Sequence, residues 1–204
     1  SIGAVVVDLE RLADPFPQDD IEWRVSRSGK NERGIYCMVL AYITARAIQK
    51  RLDEVCGPEN WRLEKPEILD VNGKSAFSCG LSILRTVGDE WVTKWDVCEP
   101  TNVPNIDPAK GGWSGAVKRA GAAWGIGRYL YRLPETLADV SLAKPSVMSK
   151  AWNYARLGKT DGKTPFYWKT PNLPGWALPK EKEHEVSKED VETLYRSWRE
   201  ALAG

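Results

Sequence analysis

Gly111-Gly112-Trp113-Ser114-Gly115-Ala116-Val117-Lys118-Arg119-Ala120-Gly121-Ala122-Ala123-Trp124-Gly125-Ile126-Gly127-Arg128-Tyr129-Leu130-Tyr131-Arg132-Leu133 is the stretch around which the rest of the chain is organised. Ser114 stands where a helix N-cap would, and Trp113, Val117, Ala120 and Trp124 then recur at helical spacing as one apolar stripe. Between them Gly115, Ala116, Gly121, Ala122 and Ala123 are too small to hold neighbours away, so the backbone can approach a sheet or another subunit closely. Adjacent Lys118 and Arg119 project about 100° apart, which leaves at most one of them near the stripe. Gly125-Ile126-Gly127 breaks the run, and Arg128, Tyr129, Tyr131 and Arg132 follow as an aromatic and basic cluster. Periodicity alone fits two accounts: a core helix with a solvated Lys-Arg pair, or fixed cations beside a groove that tracks a phosphate backbone.

Outward from that stretch, the 204 residues suffice for one domain with a sizeable core plus an appendage. Lys and Arg number 29 against 28 Asp and Glu, so bulk charge makes no case for a polyanionic partner and only local segregation can. Such segregation is present: Asp8, Glu10, Asp14, Asp19, Asp20 and Glu22 are followed at once by Arg24, Arg27, Lys30 and Arg33. Ten tryptophans supply large rigid contact surfaces for a core, an interface or base stacking.

Several chemistries lack their residues. Cys37, Cys56, Cys79 and Cys98 are widely spaced, and the single histidine, His184, lies in a charged tail, so a zinc site is disfavoured and separate thiols in a reducing compartment fit better. No phosphate-binding Gly-Lys-Ser/Thr loop is present, Gly125-x-Gly127 is a poor dinucleotide fingerprint, and a serine or cysteine triad has no base. No cofactor is implied. The remaining enzymatic alternative is a metal-dependent nuclease built on Asp89, Glu90, Asp96 and Glu99 around Lys94. No apolar run of about 18 residues opens a route into a membrane, and the expectation is a soluble, cytoplasmic protein.

Read in order, residues 1–13 form an N-terminal arm and residues 29–34 a polar, basic, hairpin-like loop. A strand over 35–39 gives way from about Ala41 to a helix carrying Ile43, Ala47, Ile48, Leu52 and Val55, ended by Gly57-Pro58. Strands follow over 61–71, 75–85 and 91–97, the first two joined by the hairpin signal Asn72-Gly73. In the second of them Phe77, Cys79, Leu81 and Ile83 face one way, and the small face of Ala76, Ser78, Gly80 and Ser82 is left wet or open to a ligand. The order β-α-β-β-β-α predicts an α+β fold, an antiparallel sheet with helices packed on one face, over a core of residues 14–150. Residues 151–186 read as a Pro- and aromatic-rich strap with a charged linker. Residues 187–204 read as a C-terminal helix capped by Ser187 with the stripe Val191, Leu194, Tyr195, Trp198 and Leu202.

Four segments occur in a telling sequence: Asp14-Pro15-Phe16-Pro17 leading to Ile21-Glu22-Trp23-Arg24; Arg51-Leu52-Asp53-Glu54-Val55-Cys56-Gly57-Pro58-Glu59-Asn60-Trp61; Trp91-Val92-Thr93-Lys94-Trp95-Asp96; and Val117-Lys118-Arg119-Ala120 to Trp124-Gly125-Ile126-Gly127-Arg128-Tyr129-Leu130-Tyr131. Together, over roughly residues 14 to 133, they resemble the Rad52/Rad22 type of single-strand DNA annealing protein, most closely its phage and bacterial DNA damage response members. Residues 166–179 are also similar to the tail of some bacterial members. The resemblance implies an oligomeric ring whose protomers present a sheet crossed by a helix, with a basic groove that holds one strand by its phosphates, bases outward. Lys118 and Arg119 match the Lys-Arg of the groove-lining helix, and Arg27 matches an arginine near the hairpin that faces the same groove. Lys30, Arg33, Lys94, Lys110 and Arg128 join them as DNA-binding candidates from charge and position.

The implied activity is ATP-independent binding of single-stranded DNA and annealing of complementary strands in recombination and double-strand-break repair, with no bond made or broken by the protein. The implied partners are single-stranded DNA, further copies of the chain, and a single-strand-binding or other replication or repair protein at the final helix. The setting would be the bacterial nucleoid or a phage-infected cell. Strand or end protection without annealing, and a structural oligomer without DNA, are the competing readings.

Overall fold

Alternating apolar and polar residues over 21–25 and an apolar, strand-favouring run over 35–43 build a long hairpin, and everything that positions the candidate site hangs on it. The computed structural model describes residues 7–71, 73–85, 90–99, 108–147, 149, 151–157 and 164–180. In chain order the elements are β1 (Ile21–Asn31), β2 (Gly34–Ile43), α1 (Ala45–Cys56), β3 (Trp61–Leu63), β4 (Glu67–Val71), β5 (Lys74–Arg85), β6 (Glu90–Cys98), α2 (Pro108–Ala123), β7 (Thr136–Leu137), β8 (Val140–Ser141), β9 (Trp152–Arg156) and β10 (Pro165–Lys169). Short 3-10 turns lie at Leu9–Ala13, Gln18–Asp20, Arg128–Arg132 and Gly175–Ala177.

Residues directly opposite in an antiparallel ladder project to the same face. In β1 and β2 the pairs Ile21 with Ile43, Trp23 with Ala41 and Val25 with Val39 therefore face inward, while Glu22 with Tyr42 and Arg24 with Leu40 face outward. Between Val25 and Arg27 the register shifts: Val25 opposes Val39, Arg27 opposes Met38, and Ser26 is the extra residue of a bulge. That insertion returns Arg27 to the outward face, beside Arg24. β7 extends this sheet on the far side of β2.

The second sheet is centred on β5, with β6 along one edge and β3 and β4 in succession along the other. Cys79, Leu81 and Ile83 on its inner face are buried with Ile48 and Leu52 of α1 and Ala116, Val117 and Ala120 of α2. The small residues of α2 allow the close crossing: a Cβ at Gly112 would run into the Phe77 ring, and one at Gly115 into the Cys98 sulfur. Thr44 caps α1 by accepting from the Ala47 N–H at 3.0 Å. Gly57, at φ +87°, ends α1 by returning its N–H to Asp53 O.

The third sheet, β8-β10-β9, lays Phe166 and Trp168 against Cys37 and Val39 of the hairpin, with Ala138 and Leu157 completing a second core. Beyond it Leu173 and Ala177 return to the first core. Arg51 ties the N-terminal segment down: its guanidinium lies 4.0 Å over the Phe16 ring and donates to the carbonyls of Arg11, Asp14 and Pro15 at 3.1, 2.7 and 3.2 Å.

The α+β class with antiparallel sheets stands, but the order differs from β-α-β-β-β-α. Two strands precede α1, because β2 runs on to Ile43 before Thr44 turns the chain into the helix. The expected single strand over 61–71 is two strands, since Pro66 between them offers no N–H to the ladder. α2 begins at Pro108, well before Ser114, and proline suits a first helical turn because an N–H is dispensable there. The small face of β5 is neither wet nor open: Trp95 lies across Gly80, and the Ser82 hydroxyl bonds with Glu64 and Thr93. Trp152–Arg156 and Pro165–Lys169 form a sheet with its own buried layer, within the region expected as a strap. The C-terminal helix expected over 187–204 lies outside the described residues.

Candidate nucleic-acid interface

The outward face of the hairpin and the flank of α2 meet in an apolar-floored groove of about 290 Å³, lined by Leu40, Tyr42, Lys118, Ala122, Leu130 and Tyr131. The β2 alternation that buries Val39 and Ile43 presents Leu40 and Tyr42 here, and helical spacing brings Lys118 and Ala122 over them. Lys118 is the groove's half-buried cation. Burial holds its ammonium below the usual lysine range, nearby Arg24 pushes the same way, and Glu22 opposes them. Lys118 therefore faces the outward side of β1.

Arg24 bonds Glu22 at 3.0 Å, with its guanidinium 5.6 Å from the centre of the Tyr42 ring. Farther along the strand, Arg27 donates to Glu135 at 3.0 Å, and the Ser26 hydroxyl bonds the same carboxylate. A shallower hollow of about 540 Å³ continues past Arg27 towards the hairpin tip, bounded by Arg33, Tyr36, Met38, Leu137 and Asp139. Lys118 in the groove, Arg24 and Arg27 along the outward face of β1 and Arg33 in the hollow mark out a candidate trough, with Glu22, Glu135 and Asp139 beside them. Solvent-exposed ion pairs are worth only about 0–1 kcal/mol, so phosphates can replace these carboxylates at small cost.

The other candidates fall elsewhere. Arg119 turns towards β6, where its Nε donates to Asp96 at 3.0 Å; that hydrogen bond raises its already high pKa, and Tyr131 is within electrostatic reach. Lys94 donates to Ala123 O at 3.0 Å, its Nζ 4.5 Å from the Trp124 ring centre. Arg128 donates to Ala122 O at 2.8 Å and Ala123 O at 2.9 Å. Lys94 and Arg128 therefore satisfy the last carbonyls of α2 and its negative dipole end. Lys30 is exposed near the hairpin tip, opposite Ile35, and does not line either hollow. Lys110 lies in the first turn of α2, its side chain outside the described residues.

Sequence reading left Arg24 out of the candidate set, although its place between inward Trp23 and Val25 marks it as outward. Of the carboxylates considered for a nuclease, Asp96 is held by Arg119, Glu90 lies 4.0 Å from Arg85, and Asp89 is outside the described residues. Among the described residues no three His, Cys, Asp or Glu side chains converge as a metal-binding set. All four cysteines are free, and burial pushes the Cys37, Cys56 and Cys79 thiols up to about 11, which makes them poor nucleophiles. Among the described residues no helix is long and apolar enough to cross a membrane.

The segments that build the trough lie within residues 8–148, over which the chain matches one family model. The chain belongs to the Rad52/22 family of double-strand break repair proteins. It is similar to the single-stranded DNA-binding protein DdrA of Deinococcus radiodurans, 32% identical over 175 residues that cover 83% of this chain and 67% of the relative. The protein of the same name from Deinococcus deserti is 32% identical over 178 residues, covering 87% of this chain and 72% of that one.

Proposed function

We propose that this chain binds single-stranded DNA along the trough and brings complementary strands together without nucleotide hydrolysis. What supports the reading is Lys118 of α2 within electrostatic reach of Arg24 on the outward face of β1, with Arg27 on the same face of that strand, above an apolar floor with Tyr42 at its edge. Such a line of cations neutralises phosphates and leaves base edges free, which is what pairing with a second strand needs. The family and the name shared by the two relatives support binding of single strands in repair; annealing is the finer step. We further propose that several copies join so that their troughs form a continuous path. Trp95 and Val97 on the outer face of the second sheet are 51% and 43% exposed in a single chain and offer an apolar contact for it.

Duplex formation between complementary labelled oligonucleotides, followed with and without protein, tests the reading. Acceleration that is lost in Lys118→Ala supports it. Tight single-strand binding with no acceleration would leave a protector in its place. Light scattering with and without a single-stranded oligonucleotide tests the assembly, and a particle of monomer mass in both would overturn that part.

A further inference from the structure

The third sheet has two faces, and only one is used by the core. Phe166 and Trp168 point inward, 0% and 4% exposed. The alternating residues form the other face: Tyr167 lies directly opposite Tyr154, Lys169 opposite Trp152, and Pro165 opposite Arg156. Tyr154 and Tyr167 meet edge to face with ring centres 5.8 Å apart, and Arg156 Nε donates to the Tyr154 hydroxyl at 3.2 Å. Tyr154 is 53% exposed, and Arg156 and Lys169 are exposed beside it. The Lys169 N–H donates to the Asp139 carbonyl at 2.9 Å. The strands beneath are fixed by the second core and by Asn153, which donates to Thr170 Oγ1 at 2.9 Å.

Three aromatic side chains between two cations on a rigid, open sheet are the elements of a base-stacking platform. Bases stack on tyrosine and tryptophan, while arginine and lysine at the margin meet the phosphates. We infer that the outward face of β9 and β10 is a second contact for single-stranded DNA, holding it by its bases where the trough holds it by its phosphates. The face lies beyond residues 8–148, on the side of the hairpin opposite the trough. The inference shares its ligand class with the proposed function and none of its residues.

Fluorescence anisotropy of a labelled thymidine oligonucleotide against the full chain, across a salt series, tests it with Tyr154→Ala, Tyr154→Phe, Lys169→Glu and Lys118→Ala. Tyr154→Ala should weaken binding about tenfold and leave the salt slope unchanged, because stacking releases no counterions. Tyr154→Phe should restore most of the affinity, and an abasic strand should bind wild type and Tyr154→Ala equally. Lys169→Glu should both weaken binding and flatten the slope. Wild-type affinity in Tyr154→Ala overturns the inference. So does a fall in particle mass in Tyr154→Ala without DNA, which would assign the face to a second copy. Lys118→Ala reads the trough separately: unchanged affinity and slope there, with a loss in Tyr154→Ala, would sink the trough and leave the platform.

Discussion

Lys118 carries a conflict between folding and binding. Its folded pKa lies below that of the unfolded chain, so between the two values the unfolded chain binds more protons and stability rises with pH; below that window the charged ammonium costs stability. Lys118→Met should therefore raise stability by about 1 kcal/mol in urea unfolding at neutral pH while weakening single-strand binding. Phosphate in the trough favours the protonated amine, so affinity should fall as pH climbs through the depressed pKa. Lys118→Arg should push that fall to higher pH in an anisotropy titration. Arg51 is the opposite case, a cation whose work is internal. Arg51→Ala removes a stacked guanidinium and leaves four carbonyls without their donor, and should cost about 2 kcal/mol by denaturant unfolding. Neither environment is legible from sequence, because a lysine above a groove and an arginine gathering carbonyls carry no local signature.

α2 was legible in the element and not in its start. The run of glycine and alanine correctly signals close approach to a sheet, and Gly112→Val should cost about 2 kcal/mol by driving a branched side chain into Phe77. Ser114 misleads because serine's preference for caps is weak enough for packing of the helix on the sheet to override it, and Pro108 supplies the earlier start. Lys94 and Arg128 show the same ambiguity in charge: position in the sequence puts them near Lys118, but they cap the helix. Arg128→Ala should lower stability by about 1 kcal/mol and leave the salt dependence of DNA binding unchanged, whereas Lys118→Ala should reduce the log–log slope by about one. The third sheet went unread because its strands span two to five residues and sit among prolines, glycines and lysines, too short for alternation to register.

Across the whole molecule the hairpin is the shared layer, with the trough on one side and the third sheet on the other. Its face assignments decide which cations can act together, and strict alternation gets them wrong after Val25. Counting by twos from Arg24 sends Ser26 outward and Arg27 towards Cys37. The added residue at position 26 corrects this, and it behaves like a slipped tooth in a gear train: everything on either side of it keeps its own meshing. A chain shortened by Ser26 alone should keep the pairing of Val25 with Val39 and Arg27 with Met38, and Arg27 should still look into the trough.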